Sequence, residues 1–187
     1  MIVGKAAPGS QISLDGTSLK LGSGGYFVFG FNRDASSSAK LEIIERSGLR
    51  HVETLTVERR KYDIQQIEGL SPEKITPQPE VYARLKRERR MVAEARARDT
   101  AFLHWATPFI WPAMGRISGV YGSQRVLNGV SRQPHYGVDI AAPKGTQVVA
   151  PAAGVVVLAE RDFYYEGGII ILDHGHRIMS TLFHLQT

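Results

Sequence analysis

The sequence predicts a mainly β chain interrupted by one basic helix. Three observations lead there. Residues 1–62 carry short apolar runs separated by turn signals, the texture of a small β-sandwich-like domain. From residue 80 to about 104, Arg, Lys, Glu, Ala and Leu dominate without a single Gly or Pro, which is the composition of a helix. Residues 105–187 return to short Val/Ile runs between recurrent glycines, an all-β pattern of short strands and tight turns. The chain therefore reads as a small β domain over 1–62, a connector with a basic helix over 63–104, and a second β domain over 105–187.

In the first domain, Ile12, Leu14, Leu19 and Leu21 alternate about Asp15-Gly16, a strong hairpin signal. Residues 26–31 read as a buried strand. Residues 40–44 and 52–57 are two more, with a Ser47-Gly48 turn between them. No residue set here has catalytic spacing. His51 stands alone and reads as a solvated or packed imidazole, so the domain reads as a binding or spacing module.

In the connector, Ser71-Pro72-Glu73 has the form of an N-cap followed by proline at the first helical position. Pro77 and Pro79 stiffen the chain before the basic helix. On that helix Val81, Leu85, Val92, Ala95 and Phe102 form an imperfect apolar stripe. Seven cations (Arg84, Lys86, Arg87, Arg89, Arg90, Arg96 and Arg98) stand against Glu88 and Glu94, while the whole chain carries a net charge of +5. A base-reading motif is absent, and no aromatic residues interleave the arginines. Nucleic acid is therefore not an expected partner. The expected state is a solvated face, with attraction to an anionic polymer or membrane surface as the stronger variant.

Composition bounds the rest. Hydrophobic residues make up 43% of the 187, enough to bury a core. There is no cysteine, hence no disulfide framework and no thiolate metal site. No apolar run approaches the length of a membrane span, and residues 1–9 lack the charged and apolar regions of a signal peptide.

In the second domain, Trp105 opens an aromatic, proline-bearing entry that runs to Pro112. The chemistry concentrates at Pro134-His135-Tyr136-Gly137-Val138-Asp139, an imidazole and a carboxylate four positions apart. Both are zinc-type ligands. Pro134 and Gly137 argue against a helix, and in a straight strand the two would lie roughly 13 Å apart. Gly137, without a Cβ, would let the backbone bend or bulge and bring them together. The bland alternative is a loop histidine and a solvated aspartate. Arg125 and Asn128 precede this loop. They are candidates for holding a peptide carboxylate, with packing or turn formation an equal alternative. Tyr121, Tyr164 and Tyr165 are expected in the core by default, with the lining of a groove as the alternative, and Asp162 and Glu166 as ordinary loop charges. Val149, Val155, Val157, Ile170 and Leu182 are expected on the inner sheet face.

Taken as an ordered set, Gly115-Arg116-Ile117-Ser118-Gly119, then His135-Tyr136-Gly137-Val138-Asp139, then Gly145-Thr146-Gln147-Val148-Val149-Ala150-Pro151 with Gly154-Val155-Val156, and finally Phe183-His184-Leu185, residues 115–185 resemble the lysostaphin/LytM-type (M23) zinc metallopeptidases of bacterial cell walls. The resemblance implies an antiparallel LytM-type sheet with Zn2+ as cofactor. His135 and Asp139 match its first two zinc ligands. His184 matches a histidine that lies beside the zinc-bound water without ligating the metal, as proton acceptor or oxyanion stabiliser. It implies a zinc endopeptidase acting on cross-linking or stem peptides of peptidoglycan, in the periplasm or cell envelope, with an export signal or anchor outside this sequence. The alternative is a non-catalytic LytM-type module that binds cell wall or activates an amidase.

The family's third ligand and second catalytic histidine lie in a downstream His-x-His, whereas Thr187 follows His184 by three residues. The expectation is therefore an incomplete, C-terminally truncated peptidase domain. It would be inactive in this form and could oligomerise through an open sheet edge. His174-Gly175-His176 falls where the family has a strand-to-turn segment, and is a weak substitute for the missing pair.

Overall fold

The computed structural model describes residues 1–69 and 79–186, so the expected turn of helix at Ser71-Pro72-Glu73 lies outside the described residues. The chain is mainly β. Its first strands are β1 (Ile2–Lys5), β2 (Gln11–Leu14), β3 (Thr17–Leu19), β4 (Tyr26–Phe29), β5 (Ser38–Ile44) and β6 (Arg50–Thr56). Strands β3-β2-β5-β6 form an antiparallel sheet in that order, and β1 pairs with β4. The β2–β3 hairpin turns where Asp15-Gly16 predicts it, with φ of 48° and 78° at those two residues. Ile12, Phe27, Phe29 and Leu41 close the core between the two layers. Each comes from the apolar phase of its strand, as period-2 alternation requires.

Residues 64–67, expected in the connector, form a strand, β7 (Ile64–Ile67). It runs parallel to β9 (Gln124–Leu127), which in turn pairs with β10 (Val130–Ser131). The C-terminal region is thus not purely antiparallel, because a strand from the N-terminal half of the chain completes one of its sheets.

The helix α1 spans Tyr82–Arg96, shorter than the expected 80–104, after a 3-10 turn at Pro79–Val81. It lies on a three-stranded antiparallel sheet of β12 (Val155–Phe163), β13 (Gly167–Asp173) and β14 (Met179–Leu185). Leu85 and Ala95 are buried, and Met91 and Val92 pack on a cluster of Ala95, Phe163, Ile169 and Ile171. Phe102, expected to extend the stripe, lies beyond the helix and is exposed.

The covered sheet face carries Ile169 and Ile171 rather than the expected Ile170 and Leu182, which are cross-strand partners on the other face and half-buried. Val149 and Val155, expected inside, are exposed. Alternation explains this. In a fully apolar run such as residues 169–172, hydropathy alone does not mark the inner phase, and here the helix decides it. Tyr164 and Tyr165, expected in the core, are exposed at the β12–β13 turn.

The helix also buries a carboxylate that the stripe did not reveal. Glu88 is 4% exposed and accepts from Arg84 Nε at 2.7 Å and from the Tyr164 backbone N–H at 3.1 Å. Arg84 in turn donates to the Asp162 carbonyl and pairs with its carboxylate. Arg90 pairs with Glu94 at 3.0 Å. Part of the cationic face is therefore neutralised internally.

Candidate metal centre

The site begins with two short antiparallel strands, β8 (Arg116–Gly119) and β11 (Asp139–Ala141). Their register shifts between Asp139 and Ile140, a bulge that re-aims Asp139 at the head of β11. Asp139 sits opposite Gly119, and a Cβ there would collide with the Asp139 carboxylate. A strand glycine where another group approaches closely is the signal for this, and sequence reasoning passed over it. Gly137, expected to make the bend, does lie at a bend, and a Cβ there would meet only the His135 ring at an ordinary 3.7 Å. The bulge and Gly119, more than Gly137, set the carboxylate.

His135 is held from the turn that follows β8. Its backbone N–H donates to the Ser123 carbonyl at 2.8 Å, and its carbonyl accepts from Gly122 N–H at 2.7 Å. Its ring nitrogen Nδ1 lies 3.2 Å from the Val120 carbonyl oxygen. A carbonyl only accepts, so Nδ1 is the donor there, and in the neutral ring the lone pair then falls on Nε2. Nε2 faces Asp139 Oδ1 at 3.1 Å. An imidazole with Nδ1–H on a backbone carbonyl and a carboxylate across from Nε2 is a donor set that suits Zn2+. Both side chains reach solvent, with 33% and 60% of their side-chain surface exposed. The Tyr121 ring lies 6.1 Å from that of Tyr136, beside the pair.

The other expected site residues are placed elsewhere. His184 lies near the end of β14 with φ of 56°; its backbone N–H donates to the Glu166 carbonyl and its ring lies by Phe183. Among the described residues no group of three His, Asp or Glu side chains converges on one point, so His184 is not drawn into the His135–Asp139 pair. Arg125 is an exposed residue of β9. Asn128, with φ of 49°, and Gly129 make the β9–β10 turn, and the Asn128 N–H donates to the Ile67 carbonyl.

His174 is fully buried, with Nδ1 2.6 Å from the Ala153 carbonyl and Nε2 2.8 Å from Ser180 Oγ, so both nitrogens are committed. His176 is 8% exposed against Trp105, and neither ring nitrogen has a partner. Its burial, with a smaller contribution from nearby Lys20, lowers its pKa below the ordinary histidine value, against the pull of Asp99.

Residues 133–187, which include the His135–Asp139 pair, match peptidase family M23. A stretch of 72 residues is 38% identical to the peptidoglycan DD-endopeptidase ShyA of Vibrio cholerae serotype O1, covering 37% of this chain. The match spans 16% of that relative's length. The similarity to peptidase family M23 is thus carried by the C-terminal part of the chain, with the His135–Asp139 pair near its start.

Proposed function

We propose that the protein is a zinc-dependent endopeptidase that hydrolyses peptide bonds of peptidoglycan at the cell envelope. The observation that carries this reading is the His135–Asp139 pair, with Nε2 freed by the Nδ1–Val120 hydrogen bond and aimed at Oδ1 across 3.1 Å. It lies inside the segment that matches the peptidase family, and the related Vibrio protein is named for peptidoglycan endopeptidase activity.

His135 and Asp139 would hold the metal, the first through Nε2 and the second through Oδ1. Zinc in such a site supplies a Lewis acid for the scissile carbonyl and hydroxide near neutral pH. The Val120 carbonyl keeps the His135 ring in one tautomer and orientation. His184 is assigned to proton transfer at the reacting atoms, by its place in Phe183-His184-Leu185. Arg125 and Asn128 are assigned to the approach of the peptide.

The second reading, a non-catalytic module that binds cell wall or activates an amidase, draws on the fact that only two donors converge among the described residues. Incubating the zinc-supplemented protein with purified peptidoglycan and separating the products distinguishes the two. New peptide termini, absent with His135→Ala, support the peptidase. Retention on peptidoglycan that is the same for both proteins, with no new termini even from a chain that carries the downstream His-x-His, supports the binding module.

A further inference from the structure

The turn that holds His135 is itself held from the N-terminal half of the chain. Arg33, which follows β4, reaches across 89 residues of sequence and donates from Nε to the Gly122 carbonyl at 2.9 Å. Its Nη2 donates to Gln124 Oε1 at 3.1 Å, and only 12% of its side chain is exposed. The guanidinium lies over the Tyr62 ring, 4.9 Å from its centroid, while Nη1 pairs with Asp34 at 3.3 Å. Tyr62 packs so closely on Gly122, at φ of 87°, that a Cβ there would collide with the ring.

On the same side, the Gln124 N–H donates to the Asp63 carbonyl at 2.9 Å, just before β7 pairs with β9. Gln124 Nε2 also donates to the Arg132 carbonyl, at 2.6 Å. The 120–124 turn thus has two sides. One receives Arg33, Tyr62 and the residues leading into β7. The other offers Val120, Gly122 and Ser123 to His135.

We propose that Arg33 is a positioning residue for the metal centre. It fixes the 120–124 turn, and through the Val120 carbonyl it fixes the tautomer and aim of the His135 imidazole. This inference rests on the assignment of His135 as a metal ligand. A planar fork with two spaced donors suits the task, because it grips a backbone carbonyl and a side-chain amide at once and stacks on an aromatic ring. Losing a group that orients a metal ligand from behind typically costs about 10–100-fold in metal affinity. The N-terminal β region then serves as part of the scaffold that shapes the site.

The test compares the wild type with Arg33→Met, Arg33→Lys and His135→Ala. Zinc affinity is measured by competition with a chromophoric chelator. The His135 Nδ1 proton is followed by 15N-histidine NMR on metal-free protein, with a thermal melt for each variant. Arg33→Met should weaken zinc binding about tenfold and broaden or lose the Nδ1 proton signal. Arg33→Lys, which keeps one donor, should fall between, and His135→Ala should lose binding.

If Arg33→Met lowers the melt but leaves zinc affinity and the Nδ1 signal at wild-type values, Arg33 is a structural staple and the positioning role is overturned. If His135→Ala binds zinc like the wild type, the metal-centre assignment fails, and the proposal with it. Should Arg33→Met not fold, Arg33→Lys decides: an affinity between wild type and His135→Ala supports the role, and an unchanged one overturns it.

Discussion

Two histidine-bearing turns in this chain look alike on paper and differ in physics. His135-x-x-x-Asp139 and His174-x-His176 both place a second titratable group within four residues of a histidine, and both contain a glycine between the two groups. In the first, one ring nitrogen is bound to a backbone carbonyl and the other faces a carboxylate near solvent. In the second, His174 has spent both nitrogens on Ala153 and Ser180 in a fully buried position, and His176 is packed against Trp105. The lesson is that spacing nominates ligands, and the bookkeeping of nitrogen partners separates them. A ligand histidine needs one nitrogen oriented and one nitrogen free. A structural histidine has neither to spare, or is shut away from any ion.

The largest expected effect exploits that contrast. His135→Ala should reduce zinc affinity by about a hundredfold or more while leaving the fold intact, since the residue is half-buried and its proposed role is coordination. His174→Ala should do the reverse, leaving zinc affinity unchanged and lowering stability by about 2–4 kcal/mol. It opens a cavity and strands the Ala153 carbonyl and Ser180 hydroxyl. Chelator competition and urea denaturation on the two variants read both effects. Equal losses of affinity would erase the distinction.

A smaller effect sharpens the first site. Gly119→Ala places a methyl group where the Asp139 carboxylate now lies, so the carboxylate must swing away. Zinc affinity should drop about tenfold with little change in melting temperature. An unchanged affinity would show that Asp139 has freedom the bulge does not suggest.

The second site has its own signature in pH. The His176 pKa is lowered in the folded state, so the unfolded chain takes up this proton first as pH falls. The contribution is fully present above the unfolded value of about 6.5 and is lost as pH drops through the folded value. Stability should therefore decline from pH 8 to pH 5, and His176→Leu should flatten that decline. A wild-type and variant pair with parallel pH profiles would rule His176 out as the cause.

The smallest effect concerns the helix. Glu88→Gln keeps the shape but weakens the bonds to Arg84 and to the Tyr164 N–H, for about 1 kcal/mol by urea denaturation. It should not alter zinc affinity.

The legible parts of this molecule were those fixed by local rules. Asp15-Gly16 demands a tight hairpin and gets one. Residues 38–44 and 50–56 pair across Ser47-Gly48 as the turn signal implies. The approach of His135 to Asp139 was legible from the glycine-bearing loop between them.

What was not legible depends on contacts far apart in sequence. The phase of residues 169–172 is set by α1, and Glu88 hides on a helix face where a stripe of apolar residues was expected. Strand β7 looked like linker because its partner β9 lies some sixty residues downstream. Arg33 carries no motif, Gly119 was read only as a member of the 115–119 stretch, and their roles exist only once Gly122 and Asp139 have been folded against them.

The central claim is that His135 and Asp139 hold a metal ion and that His174 and His176 do not. Zinc K-edge X-ray absorption on the zinc-loaded protein tests it most directly, with His135→Ala and a His174→Ala, His176→Leu double variant alongside. The account predicts an imidazole-plus-carboxylate first shell in the wild type. That shell should be retained in the double variant and stripped of its imidazole scattering by His135→Ala. Imidazole scattering that survives His135→Ala and vanishes in the double variant would contradict it.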